Sequence, residues 1–136
     1  MGDQSTGRVT QALARVAERH GDPAEMVYAE LFRRYPDAEA LFVLDRNGAV
    51  RGSMLANVFA VLMDLEADQR YGLNMLRAEM QTHDNLGVER ARFFAFLDIV
   101  KASVAGVLSD EWTEADAREW DRLIALARTA AEEPVP

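Results

Sequence analysis

Apolar residues recur along this chain at the three- and four-residue intervals that place them on one face of an α-helix. Runs that alternate apolar and polar residues between turns, which would indicate half-buried strands, are nearly absent. The pattern predicts five long helices, at residues 6–20, 22–35, 50–65, 88–108 and 113–131. It adds two short or irregular helical segments, at residues 36–42 and 66–81. The sequence therefore predicts an all-α fold.

Glycine, proline and aspartate residues mark several ends of these segments. Gly21 is a favourable stop for the first helix, because glycine adopts the left-handed backbone that ends many helices. Asp22 and Pro23 suit the N-cap and first position of the second helix. Pro36 ends that helix, since proline disfavours helical backbone in the residue before it. Helices joined in this way pack either as an up-and-down bundle or at steeper crossing angles.

Composition narrows the class of protein. A chain of 136 residues with 49% hydrophobic content has the size and core of one domain, residues 1–136, with flexible ends expected at 1–5 and 132–136. The absence of cysteine excludes disulfides and thiolate metal sites. A net charge of −8 argues against nucleic acid and anionic membrane surfaces as partners. With no apolar stretch of membrane-spanning length and no signal-peptide pattern, we expect a cytoplasmic protein.

The two histidines are the candidate metal ligands. His83 stands near the end of a helical segment, before a turn at residues 84–87 and a long amphipathic helix. Taken alone, this placement fits an ordinary helix-end histidine as well as a metal ligand. His20, directly before Gly21, is typical of an exposed helix end. The choice for His83 therefore depends on the rest of the chain.

Two motifs give the chain a family resemblance. Residues 28–42, YAELFRRYPDAEALF, contain a tyrosine, a phenylalanine four residues later, a proline, and a phenylalanine six residues after the proline. His83 is followed five residues later by Val88, which opens a long helix. This order and spacing resembles the bacterial haemoglobins and the haem domain of flavohaemoglobins, over roughly residues 6–131. The resemblance implies a globin-like fold, a b-type haem, and reversible binding of dioxygen or another diatomic gas such as NO or CO.

The resemblance also implies a role for each matching residue. His83 would be the proximal ligand of the haem iron, and Phe42 the aromatic residue that wedges against the haem. Tyr28 would supply a hydroxyl donor on the distal side, and Leu55 the apolar residue over the iron. The remaining pocket wall would come from Leu76, Val88, Phe94 and Leu97.

The distal gate of the resembling proteins falls at Arg51, or at Val50 if the preceding turn is aligned one residue differently. Arg51 would either donate to a bound ligand or reach outward to a haem propionate, which suits its length and planar fork.

Several positions depart from the family pattern. Glu79 stands one turn before His83, where globins normally place an apolar residue, and an unpaired carboxylate is costly to bury. Thr82 and Phe93 replace the lysine and tyrosine of the flavohaemoglobin proximal network. With no flavin-binding domain expected at this length, a gas-binding protein is favoured over a self-contained enzyme, and a separate reductase and a homodimer stay open. The alternative hypothesis is a haem-free globin-fold sensor or interaction module that binds an apolar ligand or a protein partner.

Overall fold

The computed structural model describes residues 7–67 and 71–132. Within these ranges it contains α-helices and 3-10 helices and no β-strand, which confirms the all-α prediction. The α-helices are α1 (Arg8–Arg19), α2 (Ala24–Arg34), α3 (Ala49–Glu66), α4 (Tyr71–Asn85), α5 (Arg90–Leu108) and α6 (Glu114–Glu132). Two 3-10 helices occupy Pro36–Phe42 and Ser109–Glu111. Residues 1–5 and 133–136, which were expected to be flexible, lie outside the described residues, whereas residue 132 is the last of α6.

Helix α4 is more regular than the sequence pattern suggested. The segment predicted to be loose at residues 66–81 contains a 15-residue α-helix that continues to Asn85 and includes His83. Gly72 is buried where α4 meets α3, and its backbone N–H donates to the Asp64 carboxylate at 2.6 Å. A Cβ atom at Gly72 would lie 3.0 Å from the carbonyl oxygen of Val61. The glycine thus permits close helix packing, and tertiary contact outweighs its low helix propensity.

Glycines with positive φ and local hydrogen bonds fix other helix ends. Gly21 and Gly87 adopt positive φ values of 87° and 82° after α1 and α4. At the start of α6, the Asp116 carboxylate accepts the Thr113 backbone N–H at 3.0 Å, and the Thr113 hydroxyl accepts the Asp116 backbone N–H at 3.2 Å. This reciprocal pair is a capping box, with Asp in place of the usual Glu or Gln.

The core is centred on α1, α5 and α6. The side chains that are fully buried there include Val9, Val16, Ile99, Val100, Val104, Leu108, Trp120 and Leu123. Helices α2, α3 and α4 pack around this centre, with α3 in contact with α4 and α2 with α5. Among the helices of the described residues, none combines the length and apolar character needed to cross a membrane.

Candidate functional site

A cavity of about 530 Å³ opens between helices α2, α3, α4 and α5 and the 3-10 helix at Pro36–Phe42. This volume falls within the roughly 300–1,000 Å³ range of small-molecule sites in proteins. Most of its wall is apolar. The polar residues on the wall are Tyr28, Asp45, Asn57, Glu79, Thr82, His83 and Arg92.

His83 lies in the last turn of α4, half-buried on the cavity wall. Its Nδ1 atom lies 2.6 Å from the backbone carbonyl oxygen of Glu79. Because a carbonyl oxygen only accepts, Nδ1 carries the proton, and Nε2 of the neutral ring keeps its lone pair. The Phe93 ring packs edge-on against the imidazole with 4.9 Å between ring centroids. The ring is therefore oriented, and Nε2 has no hydrogen-bond partner among the described residues.

Tyr28 contributes a buried hydroxyl from α2. The residue is 2% exposed, and its ring lies 5.4 Å from Phe42 and 5.3 Å from Phe96. Its hydroxyl oxygen is buried without a hydrogen-bond partner in the part of the chain that the structure describes. Burial raises the pKa of this hydroxyl far above its ordinary value, and the charge of Arg51 offsets only part of the increase. Tyr28 therefore stays protonated and keeps an unused donor.

One stripe of α3 faces the cavity, formed by Val50, Met54, Asn57, Val58, Val61 and Leu62. These positions recur at helical spacing. Leu55, which the family resemblance placed over the iron, lies one position further round the helix and is 2% exposed in the core rather than on the cavity wall. One residue along a helix turns the side chain by about 100°, so a shift of one position in the alignment explains the difference.

Arg51 lies off the cavity wall because it binds Asp45. Its Nε donates to the Asp45 carboxylate and its terminal nitrogen to the Asp45 carbonyl oxygen, each at 3.0 Å. The same carboxylate accepts the backbone N–H groups of Val50 and Arg51 at 3.0 Å. Burial opposes its ionisation, but these donors hold the pKa of Asp45 below its ordinary value. Of the two gate positions considered, Val50 lines the cavity and Arg51 does not.

The start of α5 shows a similar shift. Phe94 is 7% exposed and lies off the wall, with the Arg128 guanidinium 5.4 Å from its ring centroid. Phe93 and Phe96 occupy the wall instead. Four other residues expected at the pocket wall line the cavity: Phe42, Leu76, Val88 and Leu97.

Three charged residues on the wall were not assigned there from the sequence: Asp45, described above, Glu79 and Arg92. Glu79 lines the cavity, and its carboxylate forms no hydrogen bond or ion pair with the described residues. Arg92 lines the cavity from the first turn of α5. A signal for Arg92 was present, because it stands between Val88 and Leu97 at the start of an apolar stripe. Periodicity alone could not distinguish a wall position there from a solvated one.

Comparison with protein families matches residues 25–130 to the family described as globin. The matched range runs from α2 into α6 and includes every residue of the cavity wall. The chain belongs to the globin family. No curated protein and no solved structure matches it in the corresponding comparisons.

The globin fold brings His83 of α4 and Tyr28 of α2 to one cavity. Among the described residues of this globin, no group of three or more His, Asp or Glu side chains could hold a metal ion. A metal at His83 would therefore need donors from another molecule, and the four nitrogens of a porphyrin supply such a set. The oriented imidazole, the unpartnered hydroxyl of Tyr28 and the apolar wall all fit that group.

Proposed function

We propose that this globin binds b-type haem in the cavity, with His83 as the iron ligand, and thereby binds dioxygen or another diatomic gas reversibly. When bound, a haem iron held by one imidazole supplies an open coordination position for a small ligand. The observation that carries the proposal is the His83 ring, which is oriented by the Glu79 carbonyl and keeps Nε2 available.

The chain's own residues support cofactor binding in two ways. The hydrogen bond from Nδ1 of His83 fixes the ring, as outer hydrogen bonds do for metal-binding histidines. The apolar residues Phe42, Leu76, Val88 and Leu97 exclude water from a flat hydrophobic ligand.

Tyr28 favours retention of a gas that accepts hydrogen bonds. Its hydroxyl keeps its proton and has no partner among the described residues. Arg51 does not compete for this role because Asp45 holds its guanidinium. Dioxygen in a haem pocket carries partial negative charge, so a neutral hydroxyl donor slows its release.

An absorption titration of the purified protein with haemin tests the proposal. We expect a Soret band in the wild-type protein that is lost or strongly shifted in His83→Ala. His20→Ala is the matched control, because His20 is exposed and lies off the cavity wall. Circular dichroism should show the same helix content in all three proteins. An unchanged Soret band in His83→Ala would rule out the ligand assignment.

One observation favours a second candidate, a haem-free globin module that binds an apolar ligand or a protein partner. Glu79 places a carboxylate without a partner among the described residues on the same helix as His83, at the cavity wall. Burying that charge against a flat apolar cofactor would be costly. Folded, colourless protein from haem-replete cells, with no Soret band after haemin is added, would support this candidate and exclude the first.

A further inference from the structure

Arg92 lies at the mouth of the cavity. It lines both the cavity and a shallow groove beside it, whose other residues are Asp37, Leu41 and residues 86–89. Among the described residues, Arg92 is the only arginine or lysine on the cavity wall. It is therefore the positively charged side chain of this part of the wall, next to the carboxylates of Asp37 and Glu89 in the groove.

Two contacts hold the Arg92 guanidinium in place. One terminal nitrogen donates to the Asp37 carboxylate at 2.8 Å, and the guanidinium carbon lies 4.7 Å from the centroid of the Tyr35 ring. The Arg92 side chain is 28% exposed, and that of Asp37 is 70% exposed. An ion pair so open to water is weak and exchangeable. Asp37 uses one of the five N–H donors of the guanidinium, and no other hydrogen bond of this group is found in the described residues.

The apolar residues beside Arg92 indicate what the site accepts. Leu41 and Leu86 line both the cavity and the groove, and they are 60% and 70% exposed. Exposed leucines around an apolar cavity favour a ligand whose hydrophobic body extends to the mouth. A planar guanidinium at that mouth matches the two oxygens of a carboxylate.

We infer that Arg92 binds a carboxylate group of the molecule that fills the cavity. The inference rests on the proposed function, in which that group is a haem propionate. A fatty acid would present the same group if the haem-free candidate is correct. Arg51 was the residue expected from the sequence to reach a propionate, but Asp45 holds it away from the cavity wall.

The test compares haemin with its dimethyl ester, which has the same ring and no carboxylate charge. In Arg92→Leu, the affinity for haemin should fall about tenfold, the effect of one lost hydrogen bond to a charged group. The affinity for the ester should be the same in wild type and variant. Equal losses for both compounds, or no loss for haemin, would overturn the inference.

Arg90→Leu is the matched control. Arg90 begins the same helix, pairs with Asp84 at 3.1 Å, and lies off the cavity wall. Its variant should bind haemin and the ester as wild type does. Asp37→Asn gives a second test with the opposite sign: removing the competing carboxylate should tighten haemin binding and leave ester binding unchanged. Weaker haemin binding in Asp37→Asn would contradict the inference.

Failure of the proposed function can be told apart from failure of this inference. If haemin gives no Soret band with the wild-type protein, a long-chain fatty acid and its alcohol replace the haemin pair, with binding followed by fluorescence displacement. Selective loss of acid binding in Arg92→Leu would then support the inference for the other candidate function. Selectivity in neither pair would overturn it, whatever the Soret result for His83→Ala.

Discussion

At the scale of single residues, the cavity of this globin owes its chemistry to two polar atoms that have no hydrogen-bond partner among the described residues. They are Nε2 of His83 and the hydroxyl of Tyr28. An unpaired buried hydroxyl lowers the free energy of unfolding by about 1–3 kcal/mol relative to a satisfied one. Their placement therefore favours ligand binding over stability of the free protein.

Tyr28→Phe should show opposite effects on stability and ligand retention. Removing the unpaired hydroxyl should raise the free energy of unfolding of the haem-free protein by about 1 kcal/mol. The same change should speed dioxygen release from the haem-loaded protein, because the donor is lost. Urea unfolding and stopped-flow release measurements check the two effects. A less stable variant would mean that the hydroxyl is satisfied in the free protein.

At the scale of helices, side chains from neighbouring segments fix the ends that border the cavity. The Asp45 carboxylate accepts the N–H groups of Val50 and Arg51 in the first turn of α3, and Asp64 of α3 accepts an N–H from the first turn of α4. A carboxylate at a helix N-terminus is also favoured by the helix dipole. The Asp45 cap positions Leu44, which directly precedes Asp45, and Val50, whose N–H it accepts. Both residues line the cavity.

Asp45 should make stability depend on pH in the acid range. Its folded-state pKa is lowered, so the unfolded state binds the proton more readily and the contribution to stability is present above the ordinary carboxyl pKa. This contribution is lost as pH falls through the lower, folded-state pKa. Asp45→Asn should therefore lower the melting temperature at pH 7, with a difference from wild type that shrinks below about pH 4.

Asp110→Asn is the control for this pH dependence. Asp110 is exposed, and its side chain forms no hydrogen bond with the described residues. Its variant should melt with the wild type at each pH. A difference between Asp45→Asn and wild type that stays constant between pH 7 and pH 3 would show that the cap acts without its charge.

At the scale of the whole molecule, the helices form one core and leave a cavity beside it. Helices α1, α5 and α6 supply most fully buried side chains, whereas the cavity wall comes mainly from α2 to α5. A ligand in the cavity adds apolar contacts to four helices at once, so binding should stabilise the fold as a unit. A separate reductase and a homodimer stay open, as they were from the sequence.

Haemin should raise the thermal stability of the protein. At a free concentration about one hundred times its dissociation constant, a ligand that binds only the folded state adds about 2.7 kcal/mol to the free energy of unfolding. Calorimetric scans with increasing haemin should show a rising midpoint, with a smaller rise in His83→Ala. A midpoint that does not change with haemin would contradict binding in the cavity.

The sequence by itself determined which segments are helical and which residues belong to the globin pattern. Helical periodicity and the end signals at Gly21, Pro23 and Pro36 are local properties, so they can be read along the chain. The spacing from Tyr28 to Phe42 is local for the same reason. Of the residues that the pattern assigned to the pocket, six line the cavity in the structure: Tyr28, Phe42, Leu76, His83, Val88 and Leu97.

Only the tertiary structure decided which face of each helix meets the cavity and which charged groups pair. The family pattern placed Leu55 in the pocket, but in the structure Leu55 lies in the core and Met54, one residue earlier, lies on the cavity wall. The ion pair with Asp45 holds Arg51 off the cavity wall, and Arg92 is the arginine at the mouth of the cavity. Adjacent residues lie about 100° apart around a helix axis, so a rotation of the helix changes which residues face the cavity. That rotation and the choice of ion-pair partners depend on neighbours distant in sequence, and a local pattern does not fix them.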